Sequence, residues 1–396
     1  MAALQYWLWL SSAGLSPRAK AALLERFGDA EALFHAPEGA FEGIPGLSRA
    51  EAAVLKKRDL GLAAEIREEC ERQEIRILTL QDAAYPPRLK HIFSPPVVLY
   101  VKGQLPVLEK NAPIAVIGTR HHSAYGLRMG AALAGEIAQC GGVVISLLTS
   151  GIEQEAARAA MSAGGACIGV LGTPHEQEGR QLAADVAAHG ALVSEYPPFT
   201  RTLREFFRDR NRIASGLSAG VLVVEAPEKS GTQLFVAEAA EQGKEIFAVP
   251  GNADAAGSAG TLRMIQEGAK LVTSGWEIMS EFQPLYPETL HYAPPAPRQP
   301  AGEESTAAPV KAVAEKPAVD KPAKEDYDLK SQLAGLNETQ LRIVAAIDSE
   351  AKHIDDIIEE TELPAGTVLS QLTLLEIKGF VRHGPGQRFS LNIRKK

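Results

Sequence analysis

The chain is short of cysteine and has no long apolar run, and these two shortages remove whole classes of protein. Its three cysteines, Cys70, Cys140 and Cys167, stand too far apart for a disulfide framework or a zinc site and read as buried thiols in a reducing cytoplasm. No apolar stretch approaches the roughly 20 residues a membrane-spanning helix needs, so no membrane contact is expected. The opening MAALQYWLWL is apolar but has no basic n-region, and Pro17, Arg18 and Lys20 follow in a polar helical pattern, so it reads as folded sequence. Also missing are a Gly-x-Gly-x-x-Gly run with an acid about twenty positions on and a Walker phosphate loop. His121 and His122 are adjacent, would face opposite ways in an extended loop, and read as surface or phosphate-neighbouring residues. No second cluster of His, Asp or Cys has metal-ligand spacing. A nicotinamide enzyme, an ordinary ATPase and a metal enzyme are all disfavoured, and no cofactor is expected.

Positive charge is scarce as well, since the formal net charge is -8. One segment reverses it. Between Thr200 and Ala214 stand five arginines, Arg201, Arg204, Arg208, Arg210 and Arg212, against two acids, Glu205 and Asp209, so the stretch is net positive by three. It leads into an apolar strand and reads as a cationic, aromatic loop at a sheet edge, suited to polyanions. In the bland alternative the arginines are solvated or acid-paired, with Phe206 and Phe207 in a core. The favoured reading is a track of guanidinium groups with a ring as stacking platform, where each stacked base contributes about 1–3 kcal/mol.

At 396 residues the chain exceeds one typical core. Residues 1–80 read as a helical module of the SAM or helix-hairpin-helix type, with helices at 16–27, 29–34 and 49–72 and Ser48 as an N-cap. The turn from Gly43 to Ser48 could approach a phosphate, although a plain helical connection also needs such residues. Over 81–283, apolar runs at 114–117, 142–147, 166–171, 191–194, 221–224, 245–248 and 270–272 alternate with helices at 124–140, 153–163, 179–188, 232–242 and 262–267. That alternation is the pattern of a doubly wound parallel sheet in an α/β domain. Residues 284–330 are rich in Pro, Ala, Glu and Lys and read as a disordered linker. Over 331–396, helices at 337–347, 354–360 and 364–378, then two strands around a Gly-Pro-Gly turn, make a winged helix.

Ligands of open parallel sheets sit beyond the carboxyl ends of the strands. There the sequence places Gly118, Thr119 and Arg120 after the first strand of the sheet, Ser146 and Gly151 after the second, and the arginine segment after the fourth. Lys229, Ser230, Gly231 and Thr232 follow the fifth and open a helix, and Pro250 and Gly251 follow the sixth. Each alone is ordinary connection chemistry. Together they make a row of places for phosphates. Glu153, Glu195 and Glu225 could each act as a base, yet none is near a nucleophile, and capping or pairing with the arginines suits them better. The expected chemistry is binding, with no catalytic residue.

The segments YPPRLKHIFSPPVVLYVKG (from Tyr85), AVIGTR (from Ala115), SEYPP, RDRNRIASGLSAGVLVVEA, KSGT, FAVPGNAD and EGAKLVTS, in this order and spacing, resemble the DprA/Smf family of DNA-processing proteins. The resemblance covers most of the chain. It implies an extended Rossmann-like, mostly parallel sheet with a helical N-terminal module and a C-terminal winged helix. It also implies a non-enzymatic protein of the cytoplasm that binds single-stranded DNA, passes it to a RecA-type recombinase during natural transformation, and forms a homodimer. On this basis Arg120, Arg208, Arg210, Arg212 and Lys229 hold phosphates, Asn211 orders the loop, and Phe206 or Phe207 stacks on a base. The chain departs from the family at Leu147, where a glycine is usual, at Ala157 in place of a histidine, at Phe207 in place of a proline, and at Thr261-Leu262 in place of Cys-Asn or Thr-Asn. Two rivals remain. A nucleotide phosphoribohydrolase of the LOG or lysine-decarboxylase-like type would carry Pro-Gly-Gly-x-Gly-Thr, which is absent. A winged-helix regulator of duplex DNA would read a groove with its third helix, which has no arginine, although six basic residues lie between Lys378 and Lys396.

Overall fold

The computed structural model describes residues 2–149, 151–175, 181–295, 338–347, 352–361, 363–377, 380–384 and 388–391. It divides into two compact units, 1–302 and 303–396. The first is built on one nine-stranded sheet in the order β1-β2-β6-β5-β4-β3-β7-β8-β9. β3 (Pro113–Ile117), β4 (Val143–Ser146), β5 (Cys167–Val170), β6 (Gly190–Ser194), β7 (Gly220–Val223), β8 (Glu245–Ala248) and β9 (Lys270–Leu271) run parallel. The strands are apolar on both faces because helices cover both. Ile114 and Val116 point into one core, closed by α7 (Ala124–Gln139), α8 (Ile152–Ser162), α9 (Gln181–His189) and α13 (Gly275–Phe282). Ala115 and Ile117 point into the other, closed by α6 (Pro87–Lys90), α10 (Phe206–Leu217), α11 (Gly231–Glu241) and α12 (Ala259–Gln266).

Two strands were not expected. β1 (Ile75–Thr79) and β2 (Val98–Gly103) pair antiparallel with each other, and β2 pairs antiparallel with β6, extending the sheet at one edge. β1 falls inside the stretch read as purely helical. β1 interrupts its apolar residues with Arg76, and only the four-residue α6 lies between the two strands, so the alternation of apolar run and long helix that marks the parallel strands does not mark them.

The N-terminal helices α1 (Ala2–Ser12), α2 (Pro17–Phe27), α3 (Ala30–His35), α4 (Arg49–Val54) and α5 (Gly61–Arg72) form a third core. It takes in Trp7, Trp9, Leu23 and Ile66 together with Ile75, Val98 and Tyr100 of the edge strands. The module is therefore seated on the sheet. Instead of one helix over 49–72, the chain breaks between α4 and α5, where the Asp59 carboxylate accepts the Gly61 N–H at 2.8 Å. The turn before α4 is closed from within: Glu51 accepts from the backbone N–H groups of Ser16 and Ser48, each at 3.0 Å, and from both hydroxyls. Partial burial pushes its pKa up, but these four hydrogen bonds outweigh that and hold it at about 2. No phosphate is needed there.

The expected linker also begins later than residue 284. Tyr286 and Leu290 are buried in the first core, and the His291 N–H donates to Cys140 O at 3.2 Å. The remainder of the linker, with Asn337 and Lys378 of the winged helix, lies outside the described residues.

In the second unit α14 (Glu338–Ala346), α15 (Ile354–Thr361) and α16 (Ala365–Ile377) pack with β10 (Lys352–His353), β11 (Val381–Gly384) and β12 (Arg388–Leu391) around Ile343, Ile357, Leu372 and Phe389. The strands form a three-stranded sheet in the order β10-β12-β11, one strand more than expected.

The Tyr100 hydroxyl and the Ser11 Oγ share a buried hydrogen bond of 2.8 Å that ties α1 to β2. Tyr100→Phe should lower the stability of the first unit by about 1 kcal/mol and speed amide hydrogen exchange in α1. Unchanged exchange there would show that the hydrogen bond does not hold the module.

Candidate nucleic-acid interface

The carboxyl ends of the parallel strands form one rim, and α10 is laid across it. The segment expected to be a loop is helical from Phe206 onward. Its first turn runs along three strand ends in succession. Phe206 stacks on Tyr196, after β6, with centroids 3.8 Å apart and planes 13° from parallel. Phe207 lies against Gly172, after β5, where an added Cβ would come within 3.0 Å of the ring. The Arg210 guanidinium donates to Leu147 O, after β4, at 3.0 Å. The helix has a strong apolar face, with Ile213, Ala214 and Leu217 in the core, so its polar face looks outward from the rim.

Helical geometry splits the arginine segment into two groups. Arg201, Arg204 and Arg208 are exposed. Arg210 and Arg212 are buried, at 5% and 7% exposure, and this corrects their assignment to phosphates. Arg212 pairs with Glu195 through two hydrogen bonds, 2.6 and 3.1 Å. Burial opposes its charge, but Glu195 outweighs burial and raises the Arg212 pKa. Arg210, besides its bond to Leu147 O, lies with its guanidinium carbon 5.4 Å from the Phe207 centroid. The two hold the helix in place instead of reaching for solvent. The aromatic question resolves similarly: Phe206 is already stacked, whereas Phe207 is 44% exposed. Asn211 is half-buried in the same helix, so there is no loop for it to order.

Around the β3 and β4 ends several expected ligands are likewise committed to the fold. Gly118 makes room for Ile152, whose Cδ1 would lie 2.6 Å from an added Cβ. Thr119 is buried and accepts the His121 N–H at 3.2 Å. Ser146 donates to Glu153 O at 2.9 Å and accepts the Leu148 N–H at 3.1 Å. Gly151, at φ 59°, lies under the His122 ring, which passes within 2.2 Å of where a Cβ would be. Buried Glu153 accepts the Thr149 N–H at 3.2 Å and the Thr149 hydroxyl. Burial raises its pKa, against the pull of Thr149 and Arg210. Leu147 and Ala157 are buried in the two cores, so the departures at these positions fill the interior.

What faces outward is Arg120 after β3 and Lys229 after β7, both exposed, with Gly231 exposed beside Lys229. α11 opens there. Ser230, its N-cap, makes no side-chain capping bond, and its Oγ has no partner among the described residues. Thr232 is buried at 9% exposure. Pro250 and Gly251 end β8 half-buried; Pro250 O accepts the Tyr125 hydroxyl at 2.7 Å, and Gly251 lies against the Ser258 Oγ.

Sequence reasoning gave Glu195 a capping or arginine-pairing role but missed the groups gathered around it. Glu195 lies near Asp209, Tyr85 and, from the N-terminal module, Lys20. Burial lowers the Lys20 pKa to about 8, and nearby Glu195 only partly restores it. Asp209 is raised by burial and by Glu195. Lys20 donates to Ser11 O at 2.7 Å. Nothing near Lys20 in sequence carries this signal, because the charges that act on it, Glu195 and Arg212, lie just past β6 and on α10.

The family model for DNA recombination-mediator protein A matches residues 76–283, and that for the DprA winged helix domain matches residues 328–387. Protein Smf of Synechocystis sp. is 30% identical over 397 aligned residues, covering 97% of this chain and 98% of the relative. DNA processing protein DprA of Bacillus subtilis is 41% identical over 213 residues, covering 53% of this chain and 72% of the relative. The X-ray structure of DNA processing protein A (DprA) from Streptococcus pneumoniae superimposes with a TM-score of 0.60 at 31% identity, covering 70% of this chain and 97% of that one.

Two outcomes test the polar cluster. Glu195→Ala, which leaves Arg212 buried without its carboxylate, should cost about 3–5 kcal/mol in chemical denaturation, and a cost near zero would show that the pair holds nothing. Between pH 8 and 10.5 the unfolded chain keeps the Lys20 proton that the folded chain has released. Stability should therefore rise with pH across that window by an amount absent from Lys20→Met. Identical pH responses of the two proteins would refute the burial of this ammonium.

Proposed function

The chain belongs to the DNA recombination-mediator protein A family, and we propose from that premise that it binds single-stranded DNA across the carboxyl rim of its sheet. The observation that carries this reading is the first turn of α10, which sets exposed Phe207 and Arg208 on the rim that also bears Arg120 and Lys229. A strand laid there has a ring to stack on and separate cations for its phosphates. Such contacts are indifferent to base identity, because every base has a π-face and every nucleotide a phosphate. The uncapped start of α11 adds backbone N–H groups with the favourable end of a helix dipole.

The role is binding rather than catalysis. The three acids placed to act as bases are committed: Glu195 to Arg212, Glu153 to Thr149, and Glu225 to Ser123. We further propose a cytoplasmic, homodimeric protein that delivers its strand to a RecA-type recombinase during natural transformation, by analogy with the family. The winged helix is then accessory to the sheet unit.

Fluorescence anisotropy with single-stranded and duplex oligonucleotides of equal length tests the reading. Single strands should bind more tightly, and log affinity should fall linearly with log salt. Arg208→Ala and Lys229→Ala should each reduce that slope by about 0.7, equally for all sequences. Phe207→Ala should cost about 1–3 kcal/mol without changing the slope. A chain ending at residue 295 should retain this binding. Duplex preference, or loss of all DNA binding in that shortened chain, would move the function to the winged helix.

A further inference from the structure

β3 and β7 are neighbours at the centre of the sheet, and the chain leaves them toward opposite edges. The crevice between their carboxyl ends is the topological switch point, where a doubly wound sheet ordinarily receives a ligand. α7 starts beside it, capped by Ser123, with 16 residues of aligned peptide dipoles behind. In this chain the place is filled from inside. Glu225 follows β7, and its backbone oxygen accepts the Thr119 N–H at 2.8 Å. Its side chain then turns to the start of α7. Oε2 accepts the Ser123 N–H at 2.9 Å and the Ser123 hydroxyl at 3.2 Å.

Two glycines shape the space for that carboxylate. A Cβ on Gly126 would lie 2.0 Å from Oε2, and one on Gly257 would lie 2.3 Å from Oε1. Glu225 is 7% exposed. Above the crevice the Tyr125 hydroxyl bonds to Pro250 O, joining the start of α7 to the β8 loop. An incoming phosphate monoester would have to displace a buried carboxylate or sit against it, like charge on like charge.

We propose that Glu225 is a specificity-determining residue whose carboxylate stands in for a phosphate at α7, so that the switch-point crevice refuses mononucleotides. The start of α11 is the contrasting case: Ser230 does not cap it and nothing lies within 4 Å of an added Cβ on Gly231. On the reading of the rim given above, this asymmetry steers the phosphates of a polynucleotide to the outward surface and keeps cellular nucleotides from competing for it.

Equilibrium dialysis of the full chain against AMP tests the proposal. Wild type should show no saturable binding up to about 10 mM. Glu225→Ser, which removes the carboxylate and opens the space, should gain saturable binding by about tenfold or more. Glu225→Ala, which also opens the space, serves where the serine variant fails to fold, as judged by circular dichroism. Amide resonances of Ser123 and Gly126 in wild type provide a readout that needs no variant, and AMP should leave both unmoved. Saturable shifts of those amides in wild type, or refusal of AMP by a folded variant, would overturn the assignment. Single-strand binding is measured on the same samples. Wild type that binds neither oligonucleotide nor AMP, with a Glu225 variant that admits AMP, would sink the DNA reading and leave this one standing.

Discussion

The position of α10 depends on one ion pair. Arg212 and Glu195 meet at 2.6 Å in the protein interior, each side chain under a tenth exposed. A pair this deep gives little net stability, because desolvation takes back most of the Coulomb gain. Its value is positional: it fixes which face of the helix turns inward at the rim. Arg210, two residues earlier, adds a second tie at Leu147 O. With both guanidinium groups fastened inward, the intervening geometry leaves Arg208 and Phe207 facing out. The cationic segment thus contains its own anchor and its own outward face.

The same economy bears on how an acidic chain keeps arginine and lysine exposed at its rim. Several carboxylates are used inside the fold, at the starts of helices, where backbone N–H groups and the peptide dipoles favour negative charge. Glu51 does this at α4, Glu225 at α7, and Glu277 at α13, where it completes a capping box with Ser274. Glu136 reaches across from α7 to the Gly275 N–H at 2.7 Å. Net charge counted over the chain says little about the rim, where Arg120, Arg208 and Lys229 stand exposed alongside Glu205 and Glu228.

The sheet was largely legible in the sequence because a parallel strand buried on both faces is written as an unbroken apolar run. The 245–248 run coincides with β8, and the other parallel strands fall within a residue or two of their runs. β1 and β2 lacked that punctuation and passed unseen. The rim was legible as a row of loops, since small and polar residues after strands are local features. Which arginines face solvent was not. That depends on Glu195, just past β6 and seventeen residues before Arg212, and on a helix beginning at Phe206 in a stretch whose charges suggested a loop. Glu153, Glu195 and Glu225 were read as capping or arginine-pairing groups, but the groups they accept from, Thr149, Arg212 and Ser123, could be identified only once the chain had folded.

β9 contributes only two residues to the sheet, and the ammonium of one of them, Lys270, is held by Glu281 and by Glu277 O. An open row of backbone donors and acceptors invites another chain to add a strand, and such growth leads to aggregation. Here the row is too short to register an incoming strand and carries a fixed cation. This margin of a large parallel sheet is blunted against polymerisation, which matters for a protein whose proposed ligand would gather many copies side by side.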